Sequence, residues 1–246
     1  MLPDMHNSIS YFSSQKLANG GSGKILHAFT CKVGAPLDPL KTLVERVRRA
    51  WGVSEIITVK QIHSSEVLIV RNEKVSTENY RKVEADAIIT NMRNVALAVK
   101  TADCLPILLA GENKAIASVH GGWRGIIGGI IEKTILKLKV EMSVEPRKIY
   151  CAIGPHIGSC CYEVGDDVAE LFEKRFGKNI TKNNNTGKKM LDLSASVRIA
   201  LINAGVKASN IDILPICTKC NPQWFYSFRR DGMPCGRQLS FISFRE

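Results

Sequence analysis

No apolar run in this sequence reaches the roughly 18 consecutive residues that a membrane-spanning helix needs. Residues 1–24 also lack the apolar stretch that follows a basic start in a secretory signal. The expectation is a cytoplasmic protein with no membrane partner. No internal repeat is apparent, and nothing mid-chain has the composition of a linker. A single domain is therefore expected over residues 25–246, preceded by a flexible segment over residues 1–24 that ends in Asn19-Gly20-Gly21-Ser22-Gly23. Histidine is scarce, with five in 246 residues, so any histidine beside other chemically active side chains stands out.

Acidic residues are also in deficit, 23 against 34 lysines and arginines, which leaves a formal charge of +11. Such a balance favours anionic ligands, phosphate-bearing ones included. The basic residues are spread along the chain without an aromatic platform beside them, so a nucleic-acid partner is not expected. Eight cysteines in a chain of this kind suggest free thiols or metal ligands rather than disulfides. Cys160 and Cys161 are adjacent and cannot readily bridge to each other.

Leu40, Leu43, Val44 and Val47 recur at helical spacing over 40–51, and Gly52 supplies a stop. Short Ile- and Val-rich runs at 55–59, 66–71, 86–90 and 95–100 read as strands, and 106–110 and 114–120 continue the pattern. Ile127, Ile131, Ile135 and Leu138 predict a helix over 125–140, weakened by Gly128-Gly129 at about 1 kcal/mol each. Further on come a strand at 148–153, a helix at 164–176, a surface loop at 178–189, a helix from an Asp192 cap to Gly205, and strands at 211–216 and 239–244. Strands in clusters with intervening helices predict an α+β layered fold with mixed sheets.

Three of these predicted strands end in chemically active residues. His63 follows the first, Cys104 lies just past 95–100, and His120 ends 114–120. Two imidazoles and a thiolate suit zinc, and three protein ligands leave a fourth position for water or substrate. Zinc can bring the pKa of a bound water to about 7. His120 also opens His-Gly-Gly-Trp-Arg-Gly, where Gly122 and Gly125 would let backbone approach a phosphate, the following helix would present free N–H groups, and Arg124 would add a planar cationic fork. Asp103 is the nearest candidate proton carrier, with fixing of its own loop as the equal alternative. Cys217-Thr218-Lys219-Cys220 has the spacing of a metal or redox pair, with Cys235 as a third candidate and no evident fourth. Ordinary thiols are the favoured reading there.

The motifs Lys60-Gln61-Ile62-His63-Ser64, Ala102-Asp103-Cys104-Leu105-Pro106 and His120-Gly121-Gly122-Trp123-Arg124-Gly125 occur in order. Ile153-Gly154-Pro155-His156-Ile157-Gly158, Cys161-Tyr162-Glu163-Val164-Gly165 and the tail from Phe225 to Gln238 follow. Together they resemble the laccase-domain family, also described as polyphenol oxidases, multicopper oxidase-like proteins and zinc-dependent purine nucleoside phosphorylases. The resemblance runs from about His27 to the C-terminus and makes residues 25–246 a laccase-type domain. It implies phosphorolysis of adenosine, inosine and methylthioadenosine with adenosine deaminase side activity, so the implied partners are a purine nucleoside and phosphate. It implies His63, Cys104 and His120 as metal ligands, and an α/β/β/α sandwich resembling the cytotoxic-necrotizing-factor-like cysteine hydrolase fold of bacterial toxin deamidases. Lys60, Gln61, Arg229, Arg230 and Arg237 are further pocket candidates.

The sequence departs from the family pattern in three places. Thr30 to Pro36 is short where relatives carry a longer Gly/Ser/Asn-rich segment, His-Gly-Gly replaces His-Ala-Gly, and His156 stands where cysteine is usual. Two other chemistries use the same residues. In a metal-free hydrolase Cys104 would be the nucleophile and His120 or His63 the base. A single copper held by the same set would suit phenol oxidation, although five histidines cannot furnish the several copper centres of a multicopper oxidase.

Overall fold

The computed structural model describes residues 1–20, 25–33, 40–71, 77–93 and 95–245. The chain opens with β1 (Asp4–His6), β2 (Ile9–Phe12), α1 (Gln15–Asn19), β3 (Ile25–Thr30), α2 (Leu40–Trp51), β4 (Glu55–Ile57), β5 (Val67–Val70) and α3 (Thr77–Tyr80). The middle contains β6 (Ala87–Thr90), β7 (Val95–Thr101), β8 (Leu105–Gly111), β9 (Ala115–Gly121), α4 (Trp123–Ile127), α5 (Ile130–Met142) and β10 (Ile149–Ile153). Then come β11 (Glu163–Val164), α6 (Asp166–Phe176), β12 (Thr181–Asn183), β13 (Lys189–Leu191), α7 (Leu193–Asn203), β14 (Ile211–Ile213), α8 (Phe228–Asp231) and β15 (Gln238–Phe244).

Two six-stranded sheets form, in the orders β1-β2-β3-β15-β7-β4 and β14-β10-β8-β9-β6-β5, beside a small sheet β11-β13-β12. Both large sheets are mixed, because β4–β7, β5–β6 and β10–β14 pair in parallel among otherwise antiparallel neighbours. Successive strand residues point to opposite faces, and here both faces are apolar. Leu105, Ile107 and Leu109 of β8 pack with Ile131 and Leu138 of α5, Phe172 of α6 and Val197 of α7. Leu108, from the other face of β8, packs between the sheets with Phe29, Leu97 and Ile242. Leu239 and Phe241 of β15 face away from that layer and meet Val44 and Val47 of α2. The layers therefore run α2, first sheet, second sheet, then α4 to α7. A strand covered on both sides needs a continuous apolar run rather than an alternating one, which is how 95–99 and 105–110 read.

Three expectations are corrected. Residues 1–24 are not a flexible leader in their described part. β1 and β2 extend the first sheet, Phe12 and Leu17 are buried between the sheets, and Ser14 caps α1 by accepting from the Leu17 N–H at 3.0 Å. Of the expected glycine loop, residues 21–23 lie outside the described part, as do residues 34–36 of the short segment after β3. The helix over 125–140 is two helices. Gly129, at φ +83°, breaks the chain direction between α4 and α5. The loop at 178–189 contains a hairpin, β12–β13, closed by Asn184, whose side-chain oxygen accepts from the Thr186 and Lys188 N–H groups.

Candidate active site

His63 lies beyond β4, Cys104 occupies the tight crossover by which the chain leaves β7 in the first sheet and enters β8 in the second, and His120 is on β9. One donor atom from each lies within 4.8 Å of the others, and the two rings stand 4.8 Å apart, nearly edge to face. His63 adopts φ +58°, a left-handed conformation costly for a residue with a Cβ. Asp86 compensates. Its wholly buried carboxylate accepts the N–H groups of Ile62 (3.2 Å), His63 (3.0 Å) and Ser64 (2.7 Å), and the Ser64 hydroxyl at 2.8 Å. It also accepts from His120 Nδ1 at 2.7 Å, which leaves Nε2 as that ring's remaining donor atom.

This arrangement sets the charges. Burial pushes the Asp86 carboxyl up, but hydrogen bonds from His120 and Ser64 outweigh it and hold the group at about 2. Burial opposes the charge of His120, yet Asp86 and then Cys104 raise it to about 9. Burial likewise raises Cys104, while hydrogen bonds from His120 and His63 bring it down to about 6. Cys104 is thus a thiolate at neutral pH, the form that binds metals and attacks carbon.

A second network holds the crossover. Asp103, at φ +93°, accepts the Thr218 hydroxyl (2.6 Å), the Ser227 hydroxyl (3.1 Å) and the Arg229 N–H (2.7 Å). Three donors meet its two oxygens, as the loop-fixing alternative expects. Gln61 clips the His63 loop to the end of β7, donating to the Lys100 carbonyl at 2.8 Å and accepting the Lys100 N–H at 2.9 Å.

The glycines act differently from expectation. A Cβ on Gly122 would stand 2.6 Å from His63 Nδ1, and one on Gly125 would stand 2.6 Å from the Ser64 carbonyl oxygen. They give clearance to the His63 loop. Neither lines the cavity above the site, and α4, five residues long, is too short to act as an anion-binding helix end.

That cavity is about 700 Å³ and opens over His63, Cys104 and His120. Its walls include the cations Lys100, Arg124, Arg229 and Arg237 and the aromatics Trp123, Tyr162, Tyr226 and Phe228. Arg124 stacks on Trp123 with its guanidinium 4.4 Å from the ring centre, and Arg229 stacks on Tyr162 at 5.2 Å. Burial, then the charges of Arg237 and Arg81, lowers the Lys100 ammonium. Two sequence candidates are displaced from the cavity wall. Lys60 pairs with Glu84 at 2.8 Å on the surface. Arg230 is spent on Asp231 and on the carbonyls of Thr218, Lys219 and Phe225. His156 is buried, donates from Nδ1 to the Gly154 carbonyl at 2.8 Å, and belongs to neither cluster of potential metal donors. Asp86, Lys100 and Tyr162 were missed as site residues. An acidic residue opening an otherwise apolar strand was the available signal for Asp86.

The sequence profile of the family described as multi-copper polyphenol oxidoreductase laccase matches residues 30–245. The chain belongs to that family. Among family relatives, a protein of Clostridium acetobutylicum named purine nucleoside phosphorylase is 35% identical over 81% of this chain and 81% of its own. One of Bacteroides thetaiotaomicron with the same name is 31% identical over 96% of this chain and 92% of its own. A prokaryotic protein named adenosine deaminase RL5 is 34% identical over 83% and 82%. The crystal structure of YlmD from Geobacillus stearothermophilus superposes with a TM-score of 0.84 at 26% identity, covering 100% of this chain and 99% of that one. Among the described residues no helix is long and apolar enough to cross a membrane.

Proposed function

We propose that the protein is a zinc-dependent purine nucleoside enzyme that phosphorolyses adenosine, inosine and methylthioadenosine and deaminates adenosine as a side activity. The observation that carries this reading is the convergence of His63, Cys104 and His120 beneath a cation- and aromatic-lined cavity. The donor set fits zinc. His120 has its Nδ1 engaged by Asp86, which leaves Nε2 turned towards Cys104, and Cys104 is ionised near neutral pH. Bound there, zinc would supply an electrophile able to polarise water or a substrate oxygen near neutral pH.

The remaining roles fall to the chain itself. Phosphorolysis breaks the bond between ribose C1′ and the base nitrogen and joins a phosphate oxygen to C1′, and the base leaves with a proton. Arg124, Arg229 and Lys100 collect the phosphate charge, and the faces of Trp123 and Tyr162 offer a stacking surface for the purine. Burial, and then the nearby Cys104 charge, raise the Tyr162 hydroxyl to about 12, so its Oη keeps a proton that it can donate in a hydrogen bond. Asp103 and Gln61 are positioning residues in this scheme. The relatives' names support both activities.

The Cys104–His120 thiolate–imidazolium pair favours a second reading, a metal-free Cys–His hydrolase. A single copper supporting phenol oxidation is the third, suggested by the family's description. Incubation with adenosine, with and without phosphate, separates these readings. Adenine with ribose 1-phosphate, formed only with phosphate and lost on chelation, is the expected result. Inosine alone reduces the proposal to deamination. Chelator-resistant turnover abolished by thiol alkylation moves it to the hydrolase, and turnover of phenols alone would falsify it.

A further inference from the structure

A second cluster of metal-binding side chains lies outside the cavity. Cys160, Cys161, Cys217 and Cys220 have their sulfurs within 4.8 Å of one another. Cys161 and Cys220 are 3.4 Å apart, and Cys160 and Cys220 are 3.8 Å apart. A single tetrahedral zinc with Zn–S bonds of about 2.3 Å spaces its sulfurs by about 3.8 Å. Clusters of several irons spread their cysteines further, because inorganic sulfides lie between the metals, so these separations suit one ion. From these distances we propose that the four cysteines bind a structural zinc ion, distinct from the site at His63, Cys104 and His120.

Three features of the fold support this assignment. First, the two cysteine pairs come from loops that follow neighbouring strands, since β10 and β14 pair in parallel and the bridge between His156 and Cys217 prolongs that pairing. Second, the first loop is shaped for sulfur. The Gly158 N–H donates to Cys217 Sγ at 3.3 Å, and a Cβ on Gly158 would stand 3.3 Å from both Cys160 Sγ and Cys217 Cβ. Third, one disulfide needs two sulfurs and adjacent cysteines do not readily bridge, whereas a closed structural zinc site needs four. Cys235, the sequence candidate for a third ligand, instead lines the cavity.

The ion would have structural work to do. Thr218, inside the Cys217–Cys220 turn, donates to Asp103, and Tyr162, directly after Cys161, lines the cavity. Zinc across the two loops would tie the support of the Cys104 crossover to one wall of the cavity. No covalent or redox step is involved. The cysteines lose their protons on binding and the ion stays in place.

The full chain, purified under reducing conditions without chelator, is expected to hold about two zinc ions, and the C217S/C220S double variant one fewer than the parent. Because the readout is a difference of one ion, it stands whether or not the first site is loaded. Should the double variant fail to fold, cobalt titration of C104S/C235S, which also removes the thiol on the cavity wall, replaces it. That protein has no sulfur left in the first site, so sulfur-to-cobalt charge-transfer bands with strong tetrahedral d–d absorption must come from the four-cysteine cluster. Unchanged zinc content in the double variant, absence of the cobalt bands, or a Cys161–Cys220 disulfide found by mass spectrometry of the reduced preparation would each overturn the proposal.

Discussion

At Asp86 five donors meet one carboxylate, and two of the three candidate metal ligands depend on them. The carboxylate fixes the ring of His120 and the left-handed turn that presents His63. Asp86→Asn keeps the volume but turns one oxygen into an NH2 facing N–H groups. Zinc affinity is expected to fall tenfold to a hundredfold, as for other carboxylates that orient ligand histidines, in competition titrations with a chromogenic chelator. Unchanged affinity would show that the imidazoles are held by other means. Breaking a buried charged pair costs about 3–5 kcal/mol, so the variant is also expected to melt earlier. His63, Cys104 and His120 were legible because each sits where an Ile/Val-rich run stops. Asp86 was not, because a carboxylate's role depends on which loop folds over it. Gly122 and Gly125 were read as a phosphate cradle because a glycine's absent side chain reports closeness without saying to what.

The elements divide in the same way. α2 and the Asp192-capped α7 follow their apolar spacing and cap, and the central strands follow their apolar runs. β1 and β2 escaped notice because Asp4–His6 and Ile9–Phe12 lack the Ile/Val-rich run that marks the equally short β4, β5 and β6, and their stability comes from neighbours in the sheet. His27 of β3 shows one consequence. It is buried, and its Nε2 accepts the Ser14 N–H at 2.9 Å, an interaction only the neutral ring can make. Burial lowers its pKa from 6.5 to about 4. Above pH 6.5 the ring is neutral in both states. As the pH falls from 6.5 towards 4 the unfolded chain takes up a proton that the folded one refuses, and about 3 kcal/mol of stability is lost. Urea titrations across that window should show His27→Gln losing correspondingly less than the parent, and identical slopes for the two proteins would defeat this account of β3.

Within the whole molecule, part of the excess of eleven positive charges is gathered at the cavity, where Lys100, Arg124, Arg229 and Arg237 share one wall system. Arg124, Arg229 and Arg237 were candidates from the sequence, but Lys100 was not, since a lysine ending an apolar strand carries no sign of which cavity it faces. Exposed charges are screened beyond about 8 Å at physiological ionic strength, so salt should raise the KM for phosphate more than that for nucleoside. Arg124→Ala should do likewise at constant salt, by roughly tenfold to a hundredfold if one charge-assisted bond of about 1.5–3 kcal/mol is lost. Equal effects on both substrates would make Arg124 a support for Trp123 instead. The layered α+β class was legible from the clustering of strands. The crossing of the chain from one sheet to the other at Cys104 was not, because nothing in Ala102-Asp103-Cys104 distinguishes a crossover from a hairpin. That crossing divides the centre into two separately anchored halves, an imidazole pair moored to one acid and a sulfur moored to another. Exchange of the sulfur donor for a harder one could therefore retune metal preference while leaving the imidazole pair in place.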